Sequence, residues 1–177
     1  MTIDLNTRIA RTLRQDVTSS AGYAIQPSAG MVKLDAMENP FGLPLALKRE
    51  LGERLAEVAI NRYPVNKGEV AAALTQHFEV PRGCKLIVGN GSDELIDLLS
   101  VACDVPGATV LAPLPGFVMY EMSARLRGLK FVGVPLTENF ELDEAAMLAA
   151  IEQVKPALTY IAYPNNPTGN LFDEAVV

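Results

Sequence analysis

"TVLAPLPGFVMYEMSARLRGLKFVGVPL", residues 109–136, reads as a strand, a helix and a second strand. Its first five residues, "TVLAP", are apolar and too few for a helix, so they read as a buried strand. "GFVMYEMSARLRG" (116–128) reads as a helix, and "KFVGVPL" (130–136) returns to a short apolar strand. The alternation continues on both sides. "KLIV" (85–88) predicts a short buried strand and "SDELIDLLSVAC" (92–103) a helix. "DEAAMLAAIEQV" (143–154) predicts another helix, and "LTYIAY" (158–163) another strand. Short apolar strands separated by helices predict an α/β fold with a largely parallel sheet covered by helices.

Upstream the pattern is different. Residues 20–44, rich in glycine and proline, read as an extended connecting segment. Before them Ile9, Leu13 and Val17 recur at a spacing of four, as on a short amphipathic helix. A helix is expected from Leu45 to Val58, with Leu47, Leu51, Leu55 and Val58 on one face. "NRYPVNKG" punctuates the chain, and Gly68 to Phe78 predicts a second helix. In the final "FDEAVV", two acids precede apolar residues as in a helix first turn, so the sequence reads as truncated.

Composition narrows the function. A net charge of −6 argues against a partner with a phosphate backbone, because nucleic acids select basic faces. No uninterrupted apolar run reaches membrane-spanning length, and the N-terminus lacks the apolar core of a secretory signal. A soluble cytoplasmic protein is expected. Cys84 and Cys103 stand apart from the single histidine, His77, so no zinc ligand set is present. Both cysteines read as small buried apolar side chains.

Three loops carry candidate chemistry. In "LIVGNGSDELI" (86–96) a strand runs through Gly89-Asn90-Gly91 into a helix opening at Ser92. Glycines allow a close backbone approach, and free N–H groups with the helix dipole favour an anion such as phosphate. Ser92 also suits a simple helix cap, with Asp93 and Glu94 complementing the dipole. The dinucleotide pattern fails because Glu94 stands where its third glycine belongs, and no lysine follows Gly91 as a P-loop requires. In "APLPGFVMYE" (112–121) Phe117 follows two prolines, where it can cover a flat ring or fill the core. In "YPNNPTGN" (163–170) Asn165 and Asn166 precede a proline turn, and each can shape an Asx turn or aim an amide donor at a ligand oxygen.

Together "NPFGLP" (39–44), "NRYP" (61–64), "GNGSDELI" (89–96), "PLPGFVMY" (113–120) and "YPNNPTG" (163–169) resemble, in order and spacing, the fold-type I pyridoxal-phosphate aminotransferases. Within that family the sequence is most similar to the histidinol-phosphate aminotransferase branch, from about Tyr23 to the chain end. The resemblance implies that Gly91, Ser92 and Asp93 hold the cofactor phosphate, that Phe117 stacks on its ring, and that Asn166 bonds its phenolic oxygen. It implies that Tyr63 reaches the phosphate of a neighbouring subunit in a homodimer, and that Tyr23, Glu38 and Asn39 help close the substrate pocket. Residues 1–44 would then be an N-terminal arm and connecting segment, and 45–177 the first part of an incomplete cofactor-binding large domain.

The implied reaction transfers an amino group between L-histidinol phosphate and 2-oxoglutarate, giving imidazole acetol phosphate and glutamate in histidine biosynthesis. It needs a Schiff-base lysine. None of Lys33, Lys48, Lys67, Lys85, Lys130 and Lys155 follows a serine in the family's context, so the chain by itself is expected to be inactive. Aromatic or aspartate aminotransferases and threonine-phosphate decarboxylases share most of these loops. A non-catalytic binding or assembly module is the reading of another class.

Overall fold

The computed structural model describes residues 4–20, 27–34, 38–63 and 68–177. The chain divides into two compact units, Met1–Ala36 with Ser100–Val177, and Met37–Leu99.

The first unit is built on a three-stranded parallel sheet. Its strands are β1 (Thr109–Leu114), β2 (Lys130–Pro135) and β3 (Leu158–Thr159), in the order β2-β1-β3. The register sets Thr109 beside Lys130, Leu114 beside Pro135, and Val110 beside Leu158. Period-two alternation sends neighbouring side chains of β1 to opposite faces. Val110 packs with Ala124 and Leu129, while Leu111 packs with Val134 and Met147. The first face is covered by α6 (Val118–Arg127) and the second by α7 (Glu144–Val154). A strand covered on both faces must be apolar throughout, and Val110, Leu111 and Ala112 are all essentially without exposure.

Each helix ends for a local reason. Gly128, at φ +83°, takes the left-handed conformation that closes α6. Asp143 caps α7 by accepting from Ala146 N at 2.9 Å. The C-terminal carbonyls of α6 receive a further cation: Arg14 donates to Leu126 O at 2.5 Å and Arg125 O at 3.1 Å. Arg14 lies just past the break in the N-terminal segment, which forms two helices, α1 (Leu5–Thr12) and α2 (Gln15–Thr18). Ile9, Leu13 and Val17 remain substantially exposed.

In the second unit α3 (Leu45–Ala56), α4 (Gly68–His77) and the start of α5 (Ser92–Ala102) occupy the expected stretches. The expected strand at 85–88 is not formed, and Ile87 is 74% exposed. An apolar run becomes a strand only when neighbouring backbone takes its N–H and C=O groups, and among the described residues no ladder reaches it. The expected burial of the cysteines fails with it. Cys84, next to that run, is exposed, and Cys103 is half-buried.

β3 is also shorter than "LTYIAY" predicts. Tyr160 N still donates to Leu111 O at 2.9 Å. The next bond of a parallel ladder would run from the nitrogen of residue 113 to Tyr160 O, and Pro113 has no N–H to give. The segment leaves the sheet there and enters its loop.

Tyr160 stacks on Tyr120 with ring centroids 4.4 Å apart and planes within 2° of parallel. Burial pushes both hydroxyls above the ordinary tyrosine range. The folded chain therefore keeps these protons where the unfolded chain has lost them. Their contribution to stability is intact below the ordinary tyrosine pKa of about 10 and is lost as pH rises through the raised values. In an alkaline absorbance titration Tyr120 and Tyr160 should ionise late, and Tyr160→Phe should remove part of that late phase. Ordinary ionisation of both would contradict the packing.

Candidate active site

In a parallel sheet all strands end at the same edge, and side chains presented there come from the loops that follow them. β1 and β3 are neighbours, so their following loops emerge side by side. The first turns sharply at Gly116, where an added Cβ would collide with Pro113 O, and only glycine fits. This turn delivers Phe117 to the N-cap of α6. Its half-buried ring meets Tyr120 edge-on at 5.5 Å and lines an open cavity of about 210 Å³ with Pro115, Tyr120 and Phe131.

The second loop treats its two asparagines differently. Asn165 is fully buried. Its Nδ2 donates to Pro115 O at 3.2 Å and to Thr168 Oγ1 at 2.7 Å, using both hydrogens. The Thr168 hydroxyl donates to Asn170 Oδ1, and Asn170 Nδ2 donates to Phe140 O at 3.0 Å. Backbone bonds close the loop: Asn165 N to Asn170 O at 2.9 Å, and Gly169 N to Asn165 O at 2.8 Å. Asn166 is only half-buried, and its side chain has no hydrogen-bond partner among the described residues. The structure thus ties the loop of Phe117 to the loop of Asn166 through Asn165, a link that sequence reasoning missed. Two identical adjacent residues offer no pattern that says which turns inward.

The other candidates lie in the second unit, apart from Tyr23, which falls outside the described residues. Gly91, at φ +86°, makes the turn into α5, and the space beside its Cα is open. Ser92 and Asp93 occupy the first turn of α5, whose leading N–H groups have no partner within a helix. The Glu94 carboxylate folds back to accept from Asn90 N at 2.5 Å, a local cap that holds the glycine turn in shape. Asn39 Oδ1 accepts from Phe41 N at 3.0 Å in an Asx turn, and Glu38 is exposed beside it. Tyr63 is 95% exposed. Among the described residues no group of His, Cys, Asp and Glu is placed to hold a metal ion.

Each unit has features of its own: in one, the open glycine turn at the start of α5 suits an anion, and in the other the half-buried ring of Phe117 suits a flat ring. The sequence matches aminotransferase class I and II over residues 29–177. The chain belongs to this family. It is 70% identical over 171 residues to a histidinol-phosphate aminotransferase of Methylibium petroleiphilum, covering 96% of this chain and 46% of that protein. The chain thus spans about half the length of this curated relative. Among solved structures it is similar to a Thermus thermophilus aspartate aminotransferase mutant, with TM-score 0.70 and 26% identity, over 94% of this chain and 46% of the other. It also has the fold of the Sinorhizobium meliloti histidinol-phosphate aminotransferase crystallised with pyridoxal-5'-phosphate, with TM-score 0.70 and 21% identity, over 88% of this chain and 43% of that one. The parallel sheet with helices on both faces is therefore part of a fold-type I aminotransferase domain.

The unequal environments of the asparagines make a stability prediction. Asn165→Ala leaves Pro115 O without its donor and should cost about 1–3 kcal/mol, whereas Asn166→Ala should cost under about 0.5 kcal/mol. Chemical denaturation of the two variants checks this. Equal losses would contradict the assignment of Asn165 as the inward residue.

Proposed function

We propose that the complete protein is a pyridoxal-phosphate-dependent aminotransferase that exchanges an amino group between L-histidinol phosphate and 2-oxoglutarate. The observation that carries this reading is the pair of loops at the carboxyl edge of the sheet. One presents the ring of Phe117 to the cavity, and the other presents Asn166, half-buried and without a side-chain partner among the described residues. The activity in the name of the 70%-identical relative supports the choice of substrates.

When bound, pyridoxal phosphate supplies an electron sink for charge developing beside the amino carbon. The chain's own residues bind and orient it. Ser92 and Asp93 offer first-turn N–H groups to the phosphate, and Gly91 provides the turn that lets it approach. Phe117 covers one ring face and excludes water from it. Asn166 donates its amide to the phenolic oxygen, a charge-assisted bond. Tyr23, Glu38 and Asn39 help close the substrate pocket. Residues 1–44 form an arm and connecting segment, and 45–177 the first part of the cofactor-binding domain.

The protein acts in the cytoplasm as a homodimer, with Tyr63 reaching the cofactor phosphate of the partner subunit. The near-complete exposure of Tyr63, an apolar ring with a polar tip, suits that role. Among the described residues no helix is long and apolar enough to cross a membrane. The catalytic lysine is not among the six lysines of this sequence, so residues 1–177 alone should transfer no amino group.

Protein expressed from the whole reading frame should convert 2-oxoglutarate to glutamate with histidinol phosphate as donor, faster than with aspartate or tyrosine. Asn166→Ala should weaken pyridoxal-phosphate retention by about 1.5–3 kcal/mol. Preference for aspartate or an aromatic donor would reassign the substrate, and no transfer with any amino donor would overturn the reading.

A further inference from the structure

Asn165 combines complete burial with an unmet acceptor. Its Oδ1 is enclosed and has no hydrogen-bond partner among the described residues. An unmet buried acceptor destabilises, so an apolar side chain of similar size would be the simpler filler. An apolar side chain could not donate to Pro115 O. That bond joins residues 50 positions apart, across the two loops that leave β1 and β3. Phe117 lies two residues beyond Pro115, and Asn166 directly follows Asn165. On its other side Asn165 is anchored through Thr168 and Asn170 to Phe140 O, in the segment leading to α7.

A flat ligand can stack on Phe117 and accept from Asn166 together only if their separation is held to about half an ångström. The geometry points to Asn165 as a positioning residue: its bond to Pro115 O fixes Asn166 relative to Phe117, so that one heteroaromatic ring engages both. This inference rests on the cofactor reading proposed above. It adds that the buried asparagine, which is not expected to touch the cofactor, controls how well the cofactor is seated.

Affinity for pyridoxal phosphate, measured on protein from the whole reading frame, separates positioning from general support of the loop. Asn165→Leu removes the donor without introducing a charge, and should weaken binding about tenfold at every pH. Asn165→Asp places an acceptor against Pro115 O and should weaken binding at least as much at about pH 8. Burial raises the new carboxyl's pKa, so lowering the pH to about 5.5 protonates it and returns one O–H donor. The ratio of its dissociation constant to the parent's at the same pH should then narrow. Thr168→Val removes the other acceptor of Nδ2 but leaves the Pro115 bond, and should stay within about threefold of the parent. The circular dichroism band of the bound cofactor should change in the Asn165 variants and not in Thr168→Val. Unfolding midpoints above the assay temperature ensure that folded protein is compared. Asn165→Leu binding like the parent, or Thr168→Val losing as much as the Asn165 variants, overturns the inference while leaving the cofactor reading intact. A parent protein that does not bind pyridoxal phosphate overturns the cofactor reading, and the inference with it.

Discussion

The burial of β1 on both faces is the constraint from which the rest of the sheet unit follows. Val110 needs α6 on one side and Leu111 needs α7 on the other, so the chain must cross the sheet between the two helices. That crossing places β2 and β3 on opposite sides of β1. Connections that diverge in this way leave a crevice at the carboxyl edge, where open α/β sheets bind ligands. The loops carrying Phe117 and Asn166 open at this edge. Their position is a consequence of packing before it is a matter of chemistry.

Proline and glycine then shape the edge. Pro113 ends the ladder to β3 because it has no N–H, which frees the residues after Tyr160 for a loop, while β1 runs one residue further against β2. Gly116 lets its turn close against Pro113 O, where any Cβ would collide. The Asn165 side chain joins the two loops, donating to Pro115 O where the backbone ladder stops at Pro113. Loops are ordinarily mobile, and a buried hydrogen-bonded link is what makes a loop-borne site rigid enough to orient a ring.

Much of this was legible in the sequence. The helices over 45–58, 68–78, 92–103, 116–128 and 143–154 appear within two residues of those bounds, because periodicity and local caps define helices without distant partners. Strands depend on partners. "TVLAP" and "KFVGVPL" find theirs in each other, whereas "KLIV" has none among the described residues, and the burial expected for Cys84 fails beside it. Family membership was legible from the loop motifs, since glycine turns and paired asparagines are local features. The inward turn of Asn165 was not. It depends on a carbonyl 50 residues away, and no local signal separates it from Asn166.

One asparagine is proposed to face the cofactor while its neighbour holds the loop. A crystal structure of the complete protein with pyridoxal phosphate tests it most directly. The expected result is the Asn166 amide within about 2.7–3.2 Å of the phenolic oxygen, with the ring against Phe117 and Asn165 Nδ2 still bonded to Pro115 O. Asn165 on the cofactor oxygen, or a ring seated away from Phe117, would contradict it.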